Sequence, residues 1–227
     1  MPKVIKKKKL KIIPFFLFVL VIAGIIFGVD VFLDTRIQNI IISGNEILSD
    51  QQILELASLT DYPSFYKTTN GSIEDKLLEN PFVEKVSVKR SFYHVVTIHI
   101  TEHQVLFKKE SDGKLVLDNK EEIATDQVIS YCIPRLINYV PNTKYDQFIK
   151  GMLEINADVR EKISEISYVP NDYDKDRFLL YMDDGNSVYL TLTKFNMINY
   201  YNEVLPQLGG KKGILYLDSG NHFKIME

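Results

Sequence analysis

Cysteine is almost missing: Cys132 stands alone among 227 residues, so no disulfide can form within the chain. A domain in an oxidising compartment would then fold on its core alone. With 45% hydrophobic residues and 13 each of Tyr and Phe, that is feasible. Cys132 lies in an apolar stretch, Val128 to Ile133, and reads as a small buried residue, not a nucleophile. Acids are missing from the N-terminal stretch, where Asp30 is the first.

Catalytic signatures are missing too. His94, His99 and His103 cluster, with His99 and His103 on one face of an expected strand, but a metal site needs further ligands and a closed geometry. Asp183-Asp184-Gly185 lacks the EF-hand loop pattern and reads as a hairpin turn. Gly209-Gly210-Lys211-Lys212 lacks Walker spacing and reads as a solvated turn. No Gly-x-Ser-x-Gly element or His/Cys pair stands out. Asn70-Gly71-Ser72 matches the glycosylation pattern and serves equally as a loop before a helix. No catalytic, cofactor or metal residue is assigned.

What is present begins at the N-terminus. Lys3, Lys6, Lys7, Lys8, Lys9 and Lys11 precede an uncharged run from Ile12 to Val29. At 1.5 Å per residue that run spans roughly 27 Å, close to the hydrocarbon thickness of a bilayer. A helix satisfies its own backbone groups and can cross there, and clustered lysines stay on the cytoplasmic side. A secretory signal has a shorter apolar region ending at small residues. Here the only small pair, Ala23-Gly24, is followed by more apolar residues. A buried core helix is the third reading of the same run. Pro14 falls in the first turn, where a missing N–H does little harm.

The expected division is a basic cytoplasmic tail at 1–11, a membrane anchor at 12–33, and two external domains at 34–103 and 104–227. Taking the six tail lysines from the overall −3 leaves −9 on the rest. So acidic an exterior argues against a nucleic-acid partner, which needs a basic face.

The first external region reads β-α-α-β-β. Ile37 to Ser43 is rich in β-branched residues, and Gly44-Asn45 ends it. Ser49 with Gln52 forms a capping box ahead of Ile53 and Leu54. Ser72 with Asp75 suggests a second helix start. Val83 to Ser91 and Val95 to Glu102 alternate with a period of two.

The second region carries short strands at Val105–Phe107, Leu115–Leu117 and Val128–Tyr131, and a helix at Tyr145–Ile155 with Phe148, Met152, Leu153 and Ile155 inward. Ile163–Val169 follows, then a hairpin of Phe178–Met182 and Ser187–Leu192. Thr193 opens a helix to Leu205, and Ile214–Leu217 and Phe223–Met226 are final strands. The fold class is α+β: an N-terminal transmembrane helix, a small β-α-α-β-β domain, and a mixed domain with a mainly antiparallel sheet. Such a chain is suited to binding, and its useful surfaces are sheet edges. The last strand is the first candidate edge.

These residues resemble the FtsQ/DivIB family of bacterial cell-division proteins. "IQNIIISGN" at Ile37–Asn45 is similar to the opening of its POTRA domain, and "NPFVEKVSVKR" at Asn80–Arg90 and "VTIHITEH" at Val96–His103 continue it. "IPRL" at Ile133–Leu136, "LLYMDDGNSVYL" at Leu179–Leu190 and "GILYLDSGNHF" at Gly213–Phe223 resemble the second domain. The chain departs at Phe92-Tyr93-His94, where the family carries a proline, and at Glu102-His103-Gln104-Val105, in place of Glu-Arg-x-Pro. The Gram-positive DivIB form fits better than the Gram-negative one.

The resemblance implies a non-enzymatic divisome scaffold at the septum. It implies two single-pass partners, FtsL and DivIC (the FtsB equivalent), and a role in controlling septal peptidoglycan synthesis. It implies partner docking by strand addition at Gly220, Asn221, His222, Phe223, Lys224 and Ile225. Two other classes remain in view: a POTRA-containing transport factor, which would need a large membrane barrel absent here, and an exported hydrolase built on His99, Glu102 and His103.

Overall fold

A computed structural model describes residues 12–226. The lysines of the expected tail lie outside them. The first element is a helix, α1, over Ile12–Leu33. No part of its apolar window is buried. Phe15, Phe18 and Ile26 are each more than 60% exposed. That removes the core-helix reading, because a core helix would hide these side chains.

The described chain divides into two compact units. The first takes the residues up to 44, with 49–79 and 86–100; the second takes 45–48, 80–85 and 101 onward.

After α1 come β1 (Asn39–Ser43), α2 (Asp50–Leu56), α3 (Asn70–Leu78), β2 (Val83–Arg90) and β3 (Val95–Glu102). The expected β-α-α-β-β order is present. The strands align as β1-β3-β2, with β1 parallel to β3. On β3, Val96, Ile98 and Ile100 are buried, as the period-two pattern requires. Ile53 from α2 and Ile73 and Leu77 from α3 are fully buried as well. Burying each such side chain stabilises by about 1.5–3 kcal/mol. The capping box forms as expected: Ser49 accepts from the Gln52 N–H, and the Gln52 side chain accepts from the Ser49 N–H. The α3 start differs. Thr69 is the cap, accepting from the Ser72 N–H at 3.2 Å, so Ser72 is capped and does not cap.

The second unit holds a nine-stranded sheet. Its strands are β4 (Val105–Lys109), β5 (Leu115–Leu117), β6 (Glu122–Ile123), β7 (Arg135–Leu136), β8 (Ile163–Tyr168), β9 (Arg177–Met182), β10 (Ser187–Thr191), β11 (Gly213–Tyr216) and β12 (His222–Ile225). They align as β12-β11-β10-β9-β8-β7-β4-β5-β6. Five of the eight neighbouring pairs are antiparallel, so the sheet is mainly antiparallel.

Helix α4 (Asn142–Leu153) covers one face. Its Phe148 stacks on Phe178 of β9 at 4.9 Å and meets Phe195 edge-on at 5.8 Å. Gly151 allows this approach, since a Cβ there would sit 2.8 Å from the Phe195 ring.

Four expectations fail in this unit. Residues 128–131 form no strand, and Val128 is 85% exposed. Cys132 is exposed as well, because no ladder draws this segment into the core. Leu153, expected inward, is 43% exposed at the last position of α4, whereas Ile155 beyond it is buried. The segment after β10 is not one α-helix opened by Thr193. It is a 3₁₀ segment, Leu192–Tyr200, kinked at Lys194, followed by one α turn at Tyr201–Val204. Phe195 and Ile198 still face the core.

Candidate functional site

Among the described residues, the sheet of the second unit ends at β12, which pairs only with β11. Gly213 faces Ile225, Ile214 faces Lys224, Leu215 faces Phe223 and Tyr216 faces His222. Just past the strand, the Met226 N–H donates to the Lys212 carbonyl at 3.0 Å. Antiparallel partners alternate between bonded and non-bonded pairs. Lys224 and His222 therefore turn their backbone groups toward β11. Phe223 and Ile225 turn theirs outward, to the free edge. Gly220 and Asn221 form the turn that delivers the chain, with φ of +131° and +52°. All six predicted partner-binding residues are thus contiguous at one edge.

Three features hold that edge in place. First, Gly213 permits the close pairing. A Cβ at this position would lie 2.2 Å from the Lys224 carbonyl oxygen. Second, buried Asn186 ties the hairpin of β9 and β10 to β11. Its Oδ1 accepts from the Gly213 N–H at 2.9 Å, and its Nδ2 donates to Tyr201 and Asp184, each at 3.0 Å. Tyr201 donates in turn to Asp184 at 2.8 Å. Burial works against ionising Asp184, but the bonds from Asn186 and Tyr201 outweigh it and hold the carboxyl below its ordinary range. Burial, helped by the bond to Asp184, drives the Tyr201 hydroxyl well above the usual phenol value. Third, Arg177 donates to Asp218 at 2.7 Å at the start of the β11–β12 turn.

Side chains on one sheet face form a ladder to the edge. The Arg177 guanidinium lies 3.5 Å from the centre of the Tyr189 ring. Tyr189 stacks on Tyr216 at 5.3 Å, and Tyr216 stacks on His222 at 4.6 Å. Cross-strand pairs of this kind stabilise a sheet by up to about 1 kcal/mol each. On the other face, Phe223 borders a groove of about 610 Å³ with Met197, Tyr200, Val204 and Leu208. The edge therefore offers backbone donors and acceptors beside an apolar slot, the combination that captures an extended segment.

The other candidates are engaged elsewhere. Glu102 accepts from the N–H groups of Glu46, Ile47 and Leu48 at 2.8, 2.7 and 2.9 Å, so both its oxygens bind backbone. His99 meets Ser43 Oγ at 3.1 Å, and His103 meets Asp118 at 2.6 Å. Among the described residues no group of three or more His, Cys, Asp or Glu could hold a metal. Asn70 spends its amide on the Val88 carbonyl and on Arg90.

Residues 35–103 match the FtsQ-type POTRA domain, and residues 100–219 match the C-terminal region of cell division protein FtsQ/DivIB. The chain belongs to the FtsQ/DivIB family. Cell division protein DivIB of Bacillus subtilis is 27% identical over 239 residues, covering 98% of this chain and 88% of that protein. DivIB of Brevibacillus brevis is 29% identical over 198 residues, covering 81% and 72%. A solved extracytoplasmic domain of DivIB from Geobacillus stearothermophilus is similar at 21% identity and a TM-score of 0.39, covering 48% of this chain and 96% of that one.

In this FtsQ/DivIB member the terminal strand is legible in the sequence, whereas Asn186 and the ladder are not. Asn186 sits in a turn motif, and turn residues read as exposed. Tyr189 and Tyr216 fall on the half-buried positions of their strands. Both signals exist in the sequence, but neither is visible without the strand register.

Proposed function

We propose that this chain is a non-enzymatic scaffold of the division machinery, anchored by α1, that binds the external segments of FtsL and DivIC and helps control septal peptidoglycan synthesis. One observation carries the docking part: β12 is a free edge whose Phe223 and Ile225 backbone groups face outward beside an apolar groove. Gly220 to Ile225 is the proposed contact, made by strand addition.

In this reading residues 1–11 lie in the cytoplasm, 12–33 cross the membrane, 34–103 form the POTRA recruitment domain and 104–227 form the docking domain. The lysine-rich start supports that orientation. The occupied oxygens of Glu102 disfavour the hydrolase alternative, because a general base needs a free lone pair aimed at its substrate.

The test is capture of the FtsL and DivIC external segments by the full chain, with residues 220–227 present or deleted. Capture lost on deletion supports the reading. Capture by the deleted chain moves the contact elsewhere, and no capture by the intact chain refutes the scaffold role.

A further inference from the structure

The loop joining β2 to β3 carries two large aromatic side chains with nothing packed on them. Phe92 is 100% exposed and Tyr93 is 82% exposed. The Ser91 N–H donates to the Val95 carbonyl at 3.0 Å and closes a three-residue loop, with His94 at φ +54°. A third loop residue in the left-handed region is the usual geometry for this hairpin length. Turns of this kind favour small polar residues, so hairpin geometry does not account for Phe92 or Tyr93.

The topology fixes which way this loop points. The chain leaves α1 at Leu33 and enters β1 at Asn39. β1 therefore runs away from the end of α1. β3 is parallel to it, with Asn39 opposite Val95 and Ser43 opposite His99. The loop that precedes Val95 must lie at the same end as the exit of α1. The ring contacts agree. Phe32, near the end of α1, stacks on Tyr66 at 4.7 Å, and Tyr66 meets the His94 ring at 5.9 Å. The loop around Tyr66 is bonded to the exit segment, with the Phe65 N–H donating to Thr35 at 2.7 Å and the Ile37 N–H to Pro63 at 3.0 Å. Tyr62 and Tyr66 remain 41% and 38% exposed beside it.

Asp30 and Asp34 mark where α1 meets water, and Phe32 lies between them. Aromatic side chains at that depth belong to the bilayer interface, where an apolar ring and a polar tip are both satisfied. We propose that Phe92 and Tyr93 insert into the lipid headgroup region, making the β2–β3 loop a second membrane contact that sets the tilt of this domain on the bilayer. The proposal rests on the anchor reading of α1. The partner is the lipid interface next to the anchor, since the loop is continuous with the point where the helix emerges.

The chain contains no tryptophan, so single-tryptophan variants report one position each. Phe92→Trp, Tyr93→Trp, Phe18→Trp and Leu78→Trp replace exposed side chains and leave the cores intact. Leu78 ends α3 and leads toward the start of β2, the opposite end of the hairpin from the loop. Each full-length variant is reconstituted in vesicles of phosphatidylcholine and phosphatidylglycerol, with chains brominated near the carbonyl or left plain. Phe92→Trp and Tyr93→Trp are expected to emit to the blue of Leu78→Trp and to lose intensity with brominated lipid. Phe18→Trp is the control for the anchor, with lipid brominated deeper in the chain.

Quenching of Phe18→Trp without any quenching at 92 or 93 overturns the proposal and spares the anchor. A blue shift at 92 or 93 without quenching assigns the loop to a protein neighbour and also overturns it. An unquenched Phe18→Trp removes the anchor reading, and the proposal falls with it.

Discussion

The register at β12 makes a paired proline experiment decisive. Lys224 faces β11, whereas Ile225 faces outward, by the alternation set at Met226 and Lys212. A proline at Ile225 removes a donor that no residue of the sheet uses. Proline is tolerated on an edge strand when its nitrogen faces away from the ladder, and the residue before it is already extended. The fold should survive. A strand added to this edge would lose one main-chain bond and leave a carbonyl unpaired, costing about 1–3 kcal/mol. That corresponds to roughly 5- to 150-fold in Kd.

A proline at Lys224 breaks the β11–β12 ladder instead. It should expose the amides of 222–226 to hydrogen exchange and weaken docking by disordering the edge. The assay is titration of the labelled external segments of FtsL and DivIC, with exchange protection measured on the same samples. Ile225→Pro should weaken binding with protection intact, and Lys224→Pro should lose both. Full affinity in Ile225→Pro, on a chain shown to be folded, would refute strand addition at this edge.

Other consequences are simpler to check. Gly213→Ala places a Cβ 2.2 Å from the Lys224 carbonyl, so β12 should detach while the aromatic core persists, read as fast exchange confined to 222–226. Asp184 is held below its ordinary pKa in the fold, so its contribution is complete above the unfolded value of about 3.9 and is lost as pH falls through the folded value. Melting temperatures between pH 7 and 3 should therefore fall less in Asp184→Asn than in the parent, and parallel curves would contradict the assignment. Phe148→Ala opens the stack with Phe178 and Phe195 and should destabilise by about 3–5 kcal/mol, measured by urea unfolding. Cys132 is exposed, so a thiol reagent should label it in the native protein as fast as in urea.

The parts of the fold that were legible were those with local signals. Ser49 and Gln52 mark a helix start through bonds made three residues apart. Val96, Ile98 and Ile100 mark a buried strand face through alternation alone. Periodicity misled where burial depends on distant partners. The apolar letters of Val128, Ile129 and Tyr131 suggest a strand, yet no strand among the described residues pairs with that stretch. Thr69 and Ser72 are equally good caps by type, and only the structure shows that Thr69 is the one used, with α3 starting at Asn70.

The candidate edge shows the same division at finer grain. That a strand near residue 223 would exist could be read from composition. Which of its residues face outward could not, because that depends on one bond, from Met226 to Lys212, which fixes the phase of the alternation. A shift of one residue exchanges inward and outward groups along the whole strand. A proline at Lys224, which looks from sequence like a direct probe of partner pairing, in fact strikes the ladder inside the protein. Gly213 and Asn186 are what prevent such a shift. The glycine admits the Lys224 carbonyl at close range, and the buried amide pins the Gly213 N–H on the strand's far side. The edge is therefore specified less by β12 itself than by two residues of the elements beneath it.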